Sequence, residues 1–182
     1  MNDTTGSIVI VYESMFGSTR RVAESIADRL SADHTVSIIP VREAQSLPDD
    51  LSLLIVGGPT HVHGLSRPES RADAQKWAAD ESKDLQLEPG FDGIGIREWL
   101  KRYQPTVAHH AAFDTRVDMP RLFTGSAAGS IDKRLSALGS HRLVEPMSFF
   151  VDKESHLEPA EIERARRWGS ELAEALVPAA AR

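Results

Sequence analysis

The sequence predicts one α/β domain built as a three-layer, doubly wound, five-stranded parallel sheet of order 2-1-3-4-5. Short apolar runs rich in β-branched residues recur along the chain, and segments with helical spacing separate them. A length of 182 residues with 41% hydrophobic content is enough for one sizeable core, so a single domain over 1–182 is expected, with fraying at 1–6 and 178–182. The runs are continuous rather than alternating because a sheet covered by helices on both faces buries every side chain of its strands.

The runs lie at 8–12, 35–39, 53–56, 111–115 and 143–151. After the first, Val22, Ala23, Ile26, Ala27 and Leu30 recur at helical spacing and predict a helix over 18–31 with one apolar stripe. Between the third and fourth runs, 66–110 holds a polar helix through Trp77 and a short helix over 96–103, with "EPGFDG" between them. After the fourth run, Ala127, Ala128, Ile131, Leu135 and Leu138 form another stripe, and Gly139 stands where a left-handed stop belongs. The fifth run is interrupted by Pro146, which lacks a ladder donor, so its strand begins or bulges there at a sheet edge. The final helix starts near Pro159 and buries Ile162, Ala165, Leu172, Ala173 and Leu176.

Composition narrows function. A net charge of −6 without any long Lys/Arg run argues against nucleic acid and fits basic partners. The absence of cysteine excludes disulfides, thiolate metal sites and thiol catalysis, so redox chemistry would need a bound cofactor. The start "MNDTTGS" has no signal-peptide pattern and no apolar run is long enough to cross a bilayer, which points to the cytoplasm and away from membranes.

In doubly wound sheets, ligands sit outside the carboxyl ends of strands where the strand order reverses, so the loops at 13–18, 57–68 and 116–124 should converge. The first lies in "ESMFGSTRRV". Ser14, Gly17, Ser18 and Thr19 offer hydroxyls and free backbone amides at a helix start, a setting for an anion; the plainer reading is a turn in which Ser18 only caps the helix. No lysine follows the glycine as a P-loop requires, and no "GxGxxG" turn is present, which argues against nucleoside triphosphates. In "GGPTHVHGLSRP", Thr60 and the backbone from His61 to Gly64 can bond a polar ring edge. His61 and His63 form an HxH pair, but with no cysteine and no third ligand at suitable spacing a planar ligand suits them better than zinc. The third loop follows Thr115 and Arg116 with Met119, Pro120 and Phe123, able to cover an aromatic face. Alternatively Phe123 staples the next helix and Arg116 is solvated.

Together these loops resemble the flavodoxin family over nearly the whole chain, in the family's order. Its hydroxyl-rich phosphate loop corresponds to Ser14-Met15-Phe16-Gly17-Ser18-Thr19, with Phe16 replacing a usual hydroxyl; "LLIVGGPTHVHG", "AAFDTRV" and "LFTGSA" resemble its ring-binding segments. The resemblance implies non-covalent FMN, its phosphate on Ser14 to Thr19. Its ring would lie between Pro59, Thr60, His61, Val62, His63 and Gly64 on one side and Thr115, Arg116, Val117, Met119 and Phe123 on the other. Flavodoxins often sandwich the ring with Trp or Tyr; neither loop has one, so either His61, Met119 or Phe123 substitutes or the affinity for FMN is low. The implied function is an electron carrier between a reductase and an acceptor, with no catalytic residue of its own. "SMFG" also resembles the "SMYG" loop of the FMN-dependent NAD(P)H:quinone oxidoreductases first described as tryptophan-repressor-binding proteins. Against that likeness, "PTHVHG" differs from their "PTRFG", and Arg116 would there orient a substrate. A third reading is a flavin-free interaction module, favoured by Phe16 and the missing aromatics.

Overall fold

Residues 6–61 and 63–177 are described by a computed structural model. The strands are β1 (Ser7–Tyr12), β2 (Val36–Pro40), β3 (Leu51–His61), β4 (Gly64–Leu65), β5 (His109–Val117), β6 (His141–Arg142) and β7 (Met147–Val151). The helices are α1 (Ser18–Leu30), α2 (Pro68–Ala78), α3 (Ile96–Tyr103), α4 (Arg121–Thr124), α5 (Ala127–Ala137) and α6 (Glu161–Leu176). The sheet runs β2-β1-β3-β5, with β6 and β7 both pairing beyond β5 and every one of these contacts parallel; β4 pairs antiparallel with β3. The five longer strands reproduce the expected order with reversal between β1 and β3, and the two-residue strands β4 and β6 are additions to it.

Strand residues alternate between two cores. Ile8, Ile10, Tyr12, Leu53, Ile55, Ala111, Phe113 and Phe149 face α1 and α6, while Val9, Val11, Leu54, Val56 and Ala112 face α3 and α5. Each of the larger side chains, once buried, contributes about 1.5–3 kcal/mol over exposure. On the first face Phe113, Phe149 and Trp168 meet edge-on, all three pairs with ring centroids 6.1 Å apart. Gly57 makes this packing possible, because a Cβ there would collide with the Phe113 ring.

Several expected boundaries move. The third run extends through His61 because Gly57, Gly58 and Pro59 stay paired with Phe113, Asp114 and Thr115 of β5, so half of the expected second loop is strand. Likewise Arg116 and Val117 belong to β5, paired with Phe150 and Val151. The fifth strand begins at Met147, directly after Pro146, and lies at the sheet edge; Leu143 and Val144 pack against the core from outside it. Helix α6 begins at Glu161, two residues after Pro159, and leaves Ile162 and Leu176 half-buried. The predicted stop at Gly139 is present with φ +91°. The expected fraying at 1–6 and 178–182 lies, apart from Gly6, outside the described residues.

Candidate functional site

Helix α1 starts where β1 ends, and the corner between them is shaped by Gly17. Its φ of +91° is in the left-handed region that side chains disfavour, and it occupies the N-cap position with no side-chain cap. Ser18 is therefore not the cap. Its hydroxyl instead donates to the Ser155 carbonyl at 2.7 Å. The Ser14 hydroxyl accepts from the Gly17 N–H at 3.0 Å, and the Thr19 hydroxyl bonds that of Thr115 at 2.8 Å. Among the described residues no acceptor meets the N–H groups of Ser18, Thr19 and Arg20, which are the free donors of a helix start. No acidic residue lies in the first turn of α1.

A cleft of about 140 Å³ opens above this corner. From the first loop it is lined by Ser14, Met15, Phe16, Ser18 and Thr19; from the end of β3 by Pro59, Thr60 and His61; from the end of β5 by Thr115, Arg116 and Val117. The structure thus brings together eleven of the residues singled out in sequence, around the left-handed Gly17. It does not bring Met119 or Phe123 into the lining: they are 47% and 63% exposed beside the four-residue α4. His63, with φ +70°, and Gly64 turn away into the β3–β4 hairpin, where His63 bridges Gly125. Val62 lies outside the described residues. Among those residues no group of three or more His, Asp or Glu is placed to hold a metal.

Four lining residues escaped the sequence reading. Trp77 of α2, 44% exposed, stands in the cleft and supplies a Trp ring, which neither ring-binding loop contains. Its signal was present: a large ring on a helix that is otherwise polar and mostly exposed. Val151, Lys153 and Ser155 come from the β7–α6 connection, and no local pattern announces that this fourth segment folds over the first loop. Among the described residues no carboxylate lines the cleft. A larger cavity, about 540 Å³, lies beside the amino ends of β3 and β5 and away from the reversal point.

Behind the lining, two buried carboxylates tie the loops together. Glu13 accepts from the Ser66 hydroxyl and, at 2.8 Å, from the Ile96 N–H. Arg71 bonds Ser66 at 2.9 Å and pairs with Glu98 at 3.1 Å, so the ends of β1 and β4 and the starts of α2 and α3 share one network. Burial pushes the Glu13 pKa up, outweighing those hydrogen bonds and Arg71. Asp114, fully buried, accepts from Thr60 (3.1 Å), Ser126 (2.7 Å) and the Ala128 N–H (2.9 Å), fixing the β3 end, the β5 end and the start of α5. His61 has its pKa lowered by burial and then by Arg71, so it presents a neutral imidazole to the cleft at neutral pH. Arg116 is not the solvated charge considered above: it is 8% exposed, and its guanidinium donates to the Met119 carbonyl at 2.5 Å and to Thr124 at 3.2 Å. It also lies over the Phe150 ring at 5.2 Å.

The sequence profile of the flavodoxin family matches residues 10–168, and the chain belongs to the flavodoxin family. Among solved structures it is similar to oxidised flavodoxin 2 from Bacillus cereus, with 20% identity and a TM-score of 0.63 over 92% of this chain and 98% of that one. A flavodoxin from the domain Archaea aligns with 16% identity and a TM-score of 0.59 over 93% of this chain and 98% of that one. Rubredoxin oxygen:oxidoreductase from Desulfovibrio gigas aligns with 21% identity and a TM-score of 0.61 over 94% of this chain but 36% of its own. At such identities these three establish the fold alone. Among curated proteins, none matches the chain. No helix among the described residues is long and apolar enough to cross a membrane.

Proposed function

We propose that this protein is an FMN-binding electron carrier that exchanges electrons with separate redox proteins. Family membership supports a flavoprotein of electron transfer in general. The observation that carries the particular reading is the corner at Gly17: free amides at the positive end of α1, in one carboxylate-free cleft with the ends of β3 and β5. These residues fit a phosphomonoester below and a planar ring above. Bound FMN would supply the redox chemistry. Amides of the first loop would hold its phosphate, with Thr60 and His61 along one side of the ring and Trp77 packed on it.

Trp77 weakens the flavin-free reading, since it restores the missing aromatic surface. Direct oxidation of NAD(P)H with reduction of a quinone finds less support, because the Arg116 guanidinium is bound to its own loop and is not available to orient a substrate. Charge steering by the acidic chain favours basic partners and weakens as salt is added.

Titration with FMN, followed by the yellow absorbance and by Trp fluorescence, tests the proposal. Wild type should bind, and Gly17→Val should bind about five- to 150-fold more weakly, because a β-branched residue cannot hold φ +91° without strain of about 1–3 kcal/mol. No uptake of FMN by wild type would overturn the reading. Rapid turnover of NADPH and a quinone without a reductase would replace the carrier with the enzyme.

A further inference from the structure

We infer that Lys153 is the counter-charge for the flavin phosphate, so that this chain selects a phosphorylated flavin through a cation and not by amides and hydroxyls alone. The inference rests on the FMN reading above. In the first loop the Ser18 hydroxyl is spent on the Ser155 carbonyl and Thr19 shares one hydrogen bond with Thr115, while Ser14 accepts from the Gly17 N–H and keeps its own O–H. Phe16 has none to offer. Arg20, the first cation after the loop, is committed to Glu24 at 2.7 Å and Glu88 at 3.0 Å. Neutral donors remain, the amides and the Ser14 O–H, yet the incoming group is an anion approaching a chain of net charge −6.

The β7–α6 connection supplies what is missing. The Ser18–Ser155 bond pins it against the first turn of α1, and Ser155 itself turns through φ +69°. The Asp152 carboxylate is used inside that turn, accepting from the N–H groups of Glu154 and His156 at 2.9 Å each. Lys153 lines the same cleft as Ser14, Ser18 and Thr19, is exposed, and has no hydrogen bond or ion pair with any described residue. Glu154 beside it does not line the cleft. Arg116, the other cation of the lining, is 8% exposed and donates to the Met119 carbonyl and Thr124 of its own loop. Among the described lining residues Lys153 is therefore the cation free to meet a phosphate, and no carboxylate stands beside it.

The test compares FMN with riboflavin, which shares the ring and lacks the phosphate. For Lys153→Gln, the FMN dissociation constant should rise about five- to tenfold at low salt while that of riboflavin changes by less than about twofold. Lys153→Arg should restore most of the FMN affinity, Lys133→Gln on the exposed side of α5 should leave both flavins unaffected, and the salt dependence of FMN binding should be shallower in Lys153→Gln than in wild type. Equal loss for both flavins, or unchanged FMN affinity, would overturn the role of Lys153 while leaving FMN binding in place. Failure of wild type to bind either flavin would remove the FMN reading, and this inference with it.

Discussion

Glu13 sits one residue beyond β1 and is 4% exposed, a place where a carboxylate is costly to ionise. Its folded-state pKa lies above the ordinary glutamate range, burial being the main cause. The native state thus holds this proton more tightly than the unfolded chain does. The resulting stabilisation is full below the ordinary glutamate pKa and disappears as pH rises through the raised value. Calorimetry at rising pH, starting from the ordinary glutamate range, should show wild type losing stability relative to Glu13→Gln as pH climbs. Identical profiles would exclude Glu13 as the source. A glutamate ending an apolar run gives no such signal in sequence, since its partners Ser66 and Ile96 are 53 and 83 residues away.

At the scale of elements, the join between β3, β5 and α5 depends on one side chain. Asp114 takes three hydrogen bonds on a single carboxylate oxygen, from Thr60, Ser126 and the Ala128 amide. Truncation leaves all three donors without that acceptor, so Asp114→Ala should cost about 2–4 kcal/mol in urea unfolding, with Asp114→Asn costing less because an amide oxygen can still accept. Equal and small effects of the two changes would mean that packing, not this acceptor, holds the join. The strands and helices flanking it were legible: α3 spans Ile96–Tyr103 as its pattern predicts, and α1 ends within one residue of expectation. The loops were less so. Their glycines and proline read as turn formers, whereas pairing of Gly57, Gly58 and Pro59 with β5 keeps them in a strand.

For the whole molecule, a ligand that binds only the folded state stabilises it by mass action. FMN at about one hundred times its dissociation constant should add about 2.7 kcal/mol and raise the unfolding midpoint by roughly 5–10 °C for a chain of this size. Differential scanning fluorimetry with FMN and with riboflavin measures it; an unmoved midpoint at saturating FMN would count against a built flavin site. The same experiment reports on the assembly of the cleft, because its lining comes from five separate stretches of chain and exists only when the sheet is complete.

Continuous apolar runs rich in β-branched residues, helical spacing and the Ser/Gly corner after β1 are local properties, and they pointed to the doubly wound sheet and to the loops at its reversal point, while the strand order went with the resemblance to the flavodoxin family. Which side chains share a cleft is not local. Trp77 and Lys153 reach the cleft above the first loop from positions about 60 and more than 130 residues further along the chain, Met119 and Phe123 turn away from it, and Arg116 is drawn in among the carbonyls of its own loop. Only tertiary packing decides such contacts, since the energy of a long-range pairing depends on the distance set by the whole fold and leaves no periodic trace in the sequence.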